Sequence, residues 1–393
     1  MSQPHQGTAR TIGPPMTLPP HHKTSATLAD GREIHFYDDH AGRHREVVDT
    51  RALPPVESAS ELRWDPTVEE WVVMAAHRKA RPADSSEQCP LCPSTDGAAT
   101  EIPARDYDVA VFENRYPALR STDGGPGDPG AALAMPAGGR CEVMAFGSEH
   151  ETSLARMPER RVRTVIEAWA DRTRALNALP EVEQVVCFEN RGSEIGATLA
   201  HPHGQIYAYP FVPSRFERMQ RAARHSRARG TGCVFCSVLK TELAAEHRIV
   251  ARSRHWTSFV PHAARWPYEV HLYANRHVPD LAALTEEERA DLAGVYRSLL
   301  RRFETVAEAA LPYMALWIQA PARGERELGH LHAQVFSDRA TPLKPKRLAA
   351  GELGAGTFIS EVEPERAAAA LRATETWPGT PEYAEELAAV TGR

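Results

Sequence analysis

The sequence predicts an α+β protein built from one unit used twice, and three observations carry that expectation. The heptad His201-Pro202-His203-Gly204-Gln205-Ile206-Tyr207 returns as His330-Leu331-His332-Ala333-Gln334-Val335-Phe336, matching as His-x-His-small-Gln-aliphatic-aromatic. Each heptad is preceded by a Cys-x-x-Cys pair, Cys89 and Cys92 in one half and Cys233 and Cys236 in the other. Between pair and heptad each half has a histidine just ahead of an amphipathic helix, His150 and His277. From that histidine to the heptad the count is 51 residues (150 to 201) in the first half and 53 (277 to 330) in the second. From the second cysteine to that histidine it is 58 (92 to 150) against 41 (236 to 277), the surplus matching a Gly/Pro-rich insertion. The chain reads as a duplicated unit of about 130–150 residues.

Taken in order, residues 1 to about 60 are rich in Pro, His, Thr and charge. They are expected to be largely a flexible arm or edge element, with a short strand-like run at Ile34-His35-Phe36-Tyr37. Leu62 to Pro66 reads as a turn, Trp71 to Met74 as a buried strand, and His77-Arg78-Lys79-Ala80-Arg81-Pro82 as a basic loop. Arginine suits phosphate because its planar fork binds two oxygens at once. Val109 to Phe112 and Cys141 to Phe146 read as strands, and the Gly/Pro-rich stretch from Ser121 to Gly139 as an exposed loop. A helix begins near Pro158 with Val162, Val165, Ile166 and Trp169 on one face. Val185 to Phe188 then leads as a strand to the first heptad. In the second half Trp256 to Pro261, Tyr268 to Leu272 and Met314 to Ile318 are strand-like. The helix between them opens on a capping box, Thr285 with Glu288.

At 393 residues the chain holds two or three domains with substantial cores. Its 46 basic and 52 acidic residues give no general electrostatic reason to bind nucleic acid or a membrane surface. No apolar run reaches a membrane span, and the start lacks the charged-then-apolar pattern of a signal peptide, so a cytoplasmic location is expected. In that setting the paired cysteines read as metal ligands rather than disulfides, while Cys141 and Cys187 read as buried structural residues.

Two thiolates and two neutral imidazoles make a closed tetrahedral set that suits Zn²⁺ and leaves no open position for substrate. Cys89, Cys92, His150 and His201 form one expected site, and Cys233, Cys236, His277 and His330 the other. Both are structural; a reduced, metal-free loop is the alternative for each pair. A redox role calls for a strand-to-helix context that the Pro- and Gly-flanked pairs do not show. With His201 on metal, His203 is left two residues along the same face of an extended chain. An imidazole whose other ring nitrogen is held by a hydrogen bond can act as a nucleophile, and a phosphoryl or nucleotidyl centre is a natural target. His332 has the matching place. One copy alone is expected to act, Gly204 allowing closer backbone approach in the first half than Ala333 in the second.

The segment Phe188-Glu189-Asn190-Arg191-Gly192, with Gly196-Ala197-Thr198 and His201-Pro202-His203-Gly204-Gln205 after it, resembles the active-site segment of the galactose-1-phosphate uridylyltransferases. These are a branch of the histidine triad superfamily, and the similarity runs from about Leu62 to Arg372. The resemblance implies two histidine-triad-like halves, each an antiparallel sheet with packed helices, joined into one larger sheet. The arm would be 1–60, the halves 61–218 and 219–345, and the rest a substrate loop and helical tail. It implies that His203 attacks the α-phosphorus of UDP-glucose, and that galactose 1-phosphate then takes the UMP group. Gln205 would bond the phosphoryl oxygens, Asn190 and Thr198 would lie at the phosphates, and Arg78 and Arg81 would match the family's basic pair. His201 would bind zinc and orient His203 through its carbonyl. A homodimer is expected. The second thiol pair and the tail Gly351 to Ile359 look instead like the plant ADP-sugar phosphorylases, which keeps open a phosphorylase or adenylyltransferase acting on ADP-sugars or dinucleoside polyphosphates. A zinc-stabilised scaffold protein is a third reading, against which the acidic balance and the intact heptad speak.

Overall fold

The computed structural model describes residues 22–40, 43, 45–56, 60–80, 89–121, 134–341 and 344–374. The first half contains β1 (Lys23–Thr27), β2 (Glu33–Tyr37), β3 (Glu61–Asp65), β4 (Glu70–Met74), β5 (Val109–Glu113), β6 (Ala134–Pro136) and β7 (Arg140–Ala145). Helix α1 (Glu159–Asn177), β8 (Gln184–Arg191) and β9 (His203–Tyr209) complete it. Helices α2 (Ser214–Ala228) and α3 (Val234–Ala245) lead to the second half, with β10 (Ile249–Arg252), β11 (Trp256–Phe259), β12 (Tyr268–Ala274), α4 (Glu286–Thr305), β13 (Tyr313–Ile318) and β14 (His332–Ser337). Two further helices follow, α5 (Ala350–Leu353) and α6 (Pro364–Ala373).

Eleven strands form one sheet in the order β1-β2-β5-β7-β9-β8-β13-β14-β12-β11-β10, every neighbouring pair antiparallel. The run β5-β7-β9-β8 is repeated as β11-β12-β14-β13, and the copies meet where β8 pairs with β13. At that seam Met314 stands opposite Asn190 and Ala315 opposite Glu189. Because side chains alternate along a strand, this register sorts the residues onto two faces.

One face carries the main core. Helices α1 and α4 lie on it, each apolar on the side the 3.6-residue period turns toward the sheet. Val162, Val165, Ile166 and Trp169 of α1 are buried there with Leu292, Val295, Tyr296, Leu299 and Phe303 of α4. The capping box predicted for α4 is present: Glu288 N donates to Thr285 Oγ1 at 3.2 Å and Thr285 N to Glu288 Oε2 at 2.8 Å. The Trp169 indole sits 6.0 Å from the Phe146 ring, 6.0 Å from Tyr296 and 6.1 Å from Trp317, so one aromatic cluster joins both halves. The other face bears His203, Gln205 and Tyr207, with Phe188 across from Gln205. Here α2 packs Phe216 on Val186 and Ile318. A small sheet in the order β4-β3-β6 covers Tyr207 and Cys141 through Leu62 and Met135.

Several local expectations change. Within the expected arm, β1 and β2 form one edge of the large sheet, with Ile34 and Phe36 fully buried. The strand-like run Ile34 to Tyr37 is thus a strand and the segment an edge element, the second of its two readings. Glu61–Asp65 is a strand, and the turn follows it. Of the Gly/Pro-rich stretch, Ala134–Pro136 pairs with β3, and 122–133 lie outside the described residues. Helix α2 was not foreseen because arginines interrupt its apolar face. Cys233 is the N-cap of α3, its sulfur accepting from Cys236 N. At the far edge α6 lies along β10, and Arg372 Nη1 donates to the carbonyls of His247 at 2.9 Å and Ile249 at 2.6 Å.

Replacing Trp169 by Ala is expected to cost about 3–5 kcal/mol, the usual range for emptying a buried indole site. Denaturant unfolding followed by fluorescence and by circular dichroism checks it. A loss under about 1 kcal/mol would show that the ring cluster does not hold the halves together.

Candidate functional site

Strand β9 begins at His203, and the residues just before it do two jobs. The His201 carbonyl accepts a hydrogen bond from His203 Nδ1 at 2.8 Å, while the Pro202 carbonyl accepts from Phe146 N at 3.0 Å. Proline has no N–H to leave unpaired, so the pair of histidines is fixed to the end of β7 without an orphan donor. The His201 ring turns the other way, toward Cys89, Cys92 and His150. One donor atom from each of these four residues lies within 4.8 Å of the others. Cys92 Sγ is 3.4 Å from His150 Nδ1 and 3.6 Å from His201 Nδ1. Metal–sulfur and metal–nitrogen bonds of about 2.3 and 2.0 Å in a tetrahedron put sulfur and nitrogen about 3.5 Å apart, so the spacing fits one ion.

The second set repeats this arrangement. Cys236 Sγ stands 3.4 Å from both His277 Nδ1 and His330 Nδ1, and Cys233 completes the four. All eight residues expected as ligands are thus brought together in two groups. The outer nitrogens of His201, His277 and His330 are held as well, which fixes the tautomer that turns Nδ1 inward. His201 Nε2 donates to the Gly147 carbonyl at 2.7 Å and lies 2.9 Å from the Tyr107 hydroxyl. His330 Nε2 donates to the Ala274 carbonyl at 2.8 Å, and His277 Nε2 to the Glu327 carbonyl at 3.0 Å. Burial pulls His201 down to about 4, which keeps the ring neutral and its lone pair available.

Beside the first group a cleft of about 440 Å³ is lined by His203, Asn190, His150, Arg156, Arg191 and Pro312, among others. The register that sets Phe188 opposite Gln205 brings Asn190 toward the level of His203 on the same face. Gly192, at φ +108°, turns the chain out of β8; a Cβ there would lie 2.6 Å from Pro312 Cβ. Of the remaining expected site residues, Gln205 and Arg78 meet at Tyr207 on that face. Gln205 accepts from the Tyr207 hydroxyl at 3.3 Å, and Arg78 Nη1 reaches that hydroxyl at 3.5 Å. Thr198 is exposed on the loop between Ala197 and Leu199, which line the cleft. Arg81 lies outside the described residues.

The two heptads differ in what covers them. His332 Nδ1 is bonded to the His330 carbonyl at 2.8 Å, as in the first copy, but His332 is buried. Tyr273 stacks on its ring at 4.3 Å, Phe235 of α3 lies at 5.5 Å, and Arg215 of α2 donates to Gln334 Oε1 at 2.6 Å. Gly204 is needed for another reason than the one expected. It points to the helix face, away from His203, and a Cβ there would meet the Phe188 carbonyl at 2.8 Å and the Phe146 ring at 2.9 Å. The glycine serves packing within the protein, and coverage by α2 and α3 is what separates the copies.

Sequence reasoning missed the residues that support this centre. Tyr107, whose hydroxyl lies 2.9 Å from His201 Nε2, was not singled out. Glu189 lay inside the quoted motif, but nothing in the motif gave it a role. Its carboxyl is buried at the seam, Oε1 accepting from the Tyr313 hydroxyl at 2.9 Å, while Oε2 has no partner among the described residues. Burial pushes it up to about 7.

Two outcomes follow. Tyr107→Phe is expected to weaken metal binding at the first site by about 10–100-fold, measured by chelator competition, and to leave the second unchanged. For Glu189 the sign is set by a folded-state pKa above the unfolded value of 4.5. From pH 4.5 to about 7 the folded chain keeps a proton that the unfolded chain has lost, so stability falls as pH rises through that window and levels off above it. The drop is on the order of 3 kcal/mol. Denaturant melts at pH 5 and pH 8 should show a smaller drop in Glu189→Gln; equal drops would remove Glu189 from the account.

Comparison with known proteins accords with this geometry. Residues 51–213 match the N-terminal domain of galactose-1-phosphate uridyl transferase, and 219–344 match its C-terminal domain. The Streptomyces lividans galactose-1-phosphate uridylyltransferase is 45% identical over 365 residues, 89% of this chain and 97% of that protein. The Thermotoga maritima enzyme is 38% identical over 321 residues, 80% of this chain and 98% of that protein. Among solved structures, a uridylyltransferase superposes with a TM-score of 0.71 at 32% identity, covering 80% of this chain and 97% of that one. An Arabidopsis thaliana ADP-glucose phosphorylase with bound ADP-glucose shares the fold, with a TM-score of 0.63 at 22% identity, covering 81% and 100%. The chain is a nucleotidyltransferase, and it belongs to the galactose-1-phosphate uridylyltransferase family.

Proposed function

We propose that the protein exchanges UMP between UDP-glucose and galactose 1-phosphate through a uridylyl group carried on His203. The observation that supports this most directly is the 2.8 Å bond from His203 Nδ1 to the His201 carbonyl. It keeps the proton on Nδ1, so the lone pair of Nε2 is the one offered for attack. Nε2 forms a bond to the α-phosphorus as the bond to the glucose 1-phosphate oxygen breaks, and glucose 1-phosphate leaves with that electron pair. The phosphate oxygen of galactose 1-phosphate then attacks the same phosphorus, breaks the P–N bond and returns the lone pair to Nε2. Asn190, beside His203 in the cleft, and Gln205, farther along the same strand, are the groups we assign to the phosphoryl oxygens. Arg78, Arg81 and Thr198 are assigned to the remaining phosphate charge.

Zn²⁺ fits both four-residue groups by donor chemistry and spacing, and we assign Cys89, Cys92, His150 and His201 to one ion and Cys233, Cys236, His277 and His330 to the other. When bound it supplies a rigid link with no open coordination position. What His201 does for the reaction is positional: its ring is tied down on one side while its carbonyl aims His203 on the other. The sealed surroundings of His332 favour the first copy as the reacting one.

The test is labelling. Incubation with UDP-glucose labelled at the α-phosphorus should leave label on the protein, and β-label should leave with glucose 1-phosphate. Label from neither position would refute the covalent route. His203→Gly is expected to abolish turnover and keep two equivalents of zinc; loss of one would make His203 a ligand. Running ADP-glucose and inorganic phosphate beside the proposed pair fixes the base and the acceptor.

A further inference from the structure

A carboxylate from the second half reaches under the first half's cleft. Glu304 lies near the end of α4, with its side chain only 8% exposed. Ser153 Oγ donates to its Oε1 at 2.5 Å, and Arg156 Nε donates to its Oε2 at 3.0 Å. Arg191 Nη2 approaches Oε1 at 3.8 Å, while Arg191 Nη1 donates to the Thr152 carbonyl at 3.3 Å. Ser153 and Arg156 belong to the loop that begins with His150, and Arg191 directly follows Asn190. Arg156 and Arg191 both line the cleft that contains His203. One buried carboxylate therefore joins the loop of a metal-ligand histidine to the strand end that carries Asn190.

We infer that Glu304 is a positioning residue for the transfer reaction, holding the His150 loop and the end of β8 in the relation that the cleft requires. The inference rests on the reading of His203 and Asn190 given above. The physical argument is one of placement. Residues 150–156 are a loop without ladder hydrogen bonds of its own, so its distance from β8 is set by side chains. Glu304 satisfies Ser153 Oγ on one oxygen and Arg156 on the other, so the same side chain accepts from two points of the loop. A displacement of about 1 Å at a group that orients the reacting atoms costs on the order of 10²-fold in rate.

The experiment compares Glu304→Ala, Glu304→Gln and Ser153→Ala in the full-length, zinc-loaded protein. It measures kcat, KM for each substrate, bound zinc and the rate of the first labelling step from α-labelled UDP-glucose. For Glu304→Ala, kcat and the labelling rate should fall about 10–100-fold while KM stays within about threefold and zinc remains at two per chain. Glu304→Gln keeps an acceptor for Ser153 and should recover kcat to within about threefold of the parent. Parental kcat in Glu304→Ala overturns the inference, as does loss of zinc from the first site. Equal losses in the Ala and Gln variants would also overturn it, because they would make the charge itself the active element. Should Glu304→Ala fail to fold, Ser153→Ala removes the same bond from the other end and carries the same expectation. Absence of label on the parent would instead refute the covalent route, so the two failures are told apart.

Discussion

A single hydrogen bond sets what the rest of the molecule must do: the Nδ1 proton of His203 on the carbonyl of His201. It couples a residue whose ring faces sulfur ligands to a residue whose ring faces a cleft, across one proline. For that coupling to be useful the His201 ring must not turn, which is the task of Gly147, Tyr107 and the cysteine pair. The carbonyl must not move either. That is the task of the β7–β9 pairing, which Pro202 extends by accepting from Phe146 N. Everything around the heptad is support for one imidazole.

The second half repeats the same bond at the same length, yet its imidazole is enclosed. Divergence after duplication has therefore acted less on the heptad than on what lies over it. Helix α2 puts Arg215 on Gln334, and α3 puts Phe235 beside His332. A buried histidine with its ring nitrogens occupied is inexpensive to keep neutral, and burial holds His332 well below the usual imidazole range. The second copy encloses the imidazole that the first presents to a cleft. Its thiol pair still fits an ion, and its strands complete the sheet against which the first copy is ordered.

Much of this was legible in the residues because it is written in spacing. Thiol pairs, the histidine before each helix and the heptad are local patterns whose repetition excludes chance, and they gave all eight members of the two four-residue groups. The strands flanking them alternate or run apolar, and the period identified them. What escaped is set by distance in sequence. Tyr107 is 94 residues from the ring it touches, and Glu304 is 151 residues from Ser153. No local period encodes such pairs. Helix α2 was hidden for a different reason: its buried side is narrow, and arginines such as Arg215 belong to its inner surface as well as its outer one. Gly204 shows a further limit, since a glycine required for approach reads the same whether a ligand or a phenylalanine ring is what approaches.

The long sheet has one more consequence, at its far edge. An open sheet ends in strands whose outer amides and carbonyls are unpaired, and such edges recruit other chains. At β10 the register shifts between Ile249 and Ala251, and α6 lies along the strand. The Arg372 guanidinium takes the carbonyls of His247 and Ile249 that another strand would otherwise use. The last described helix thus occupies the edge along which a further strand would add.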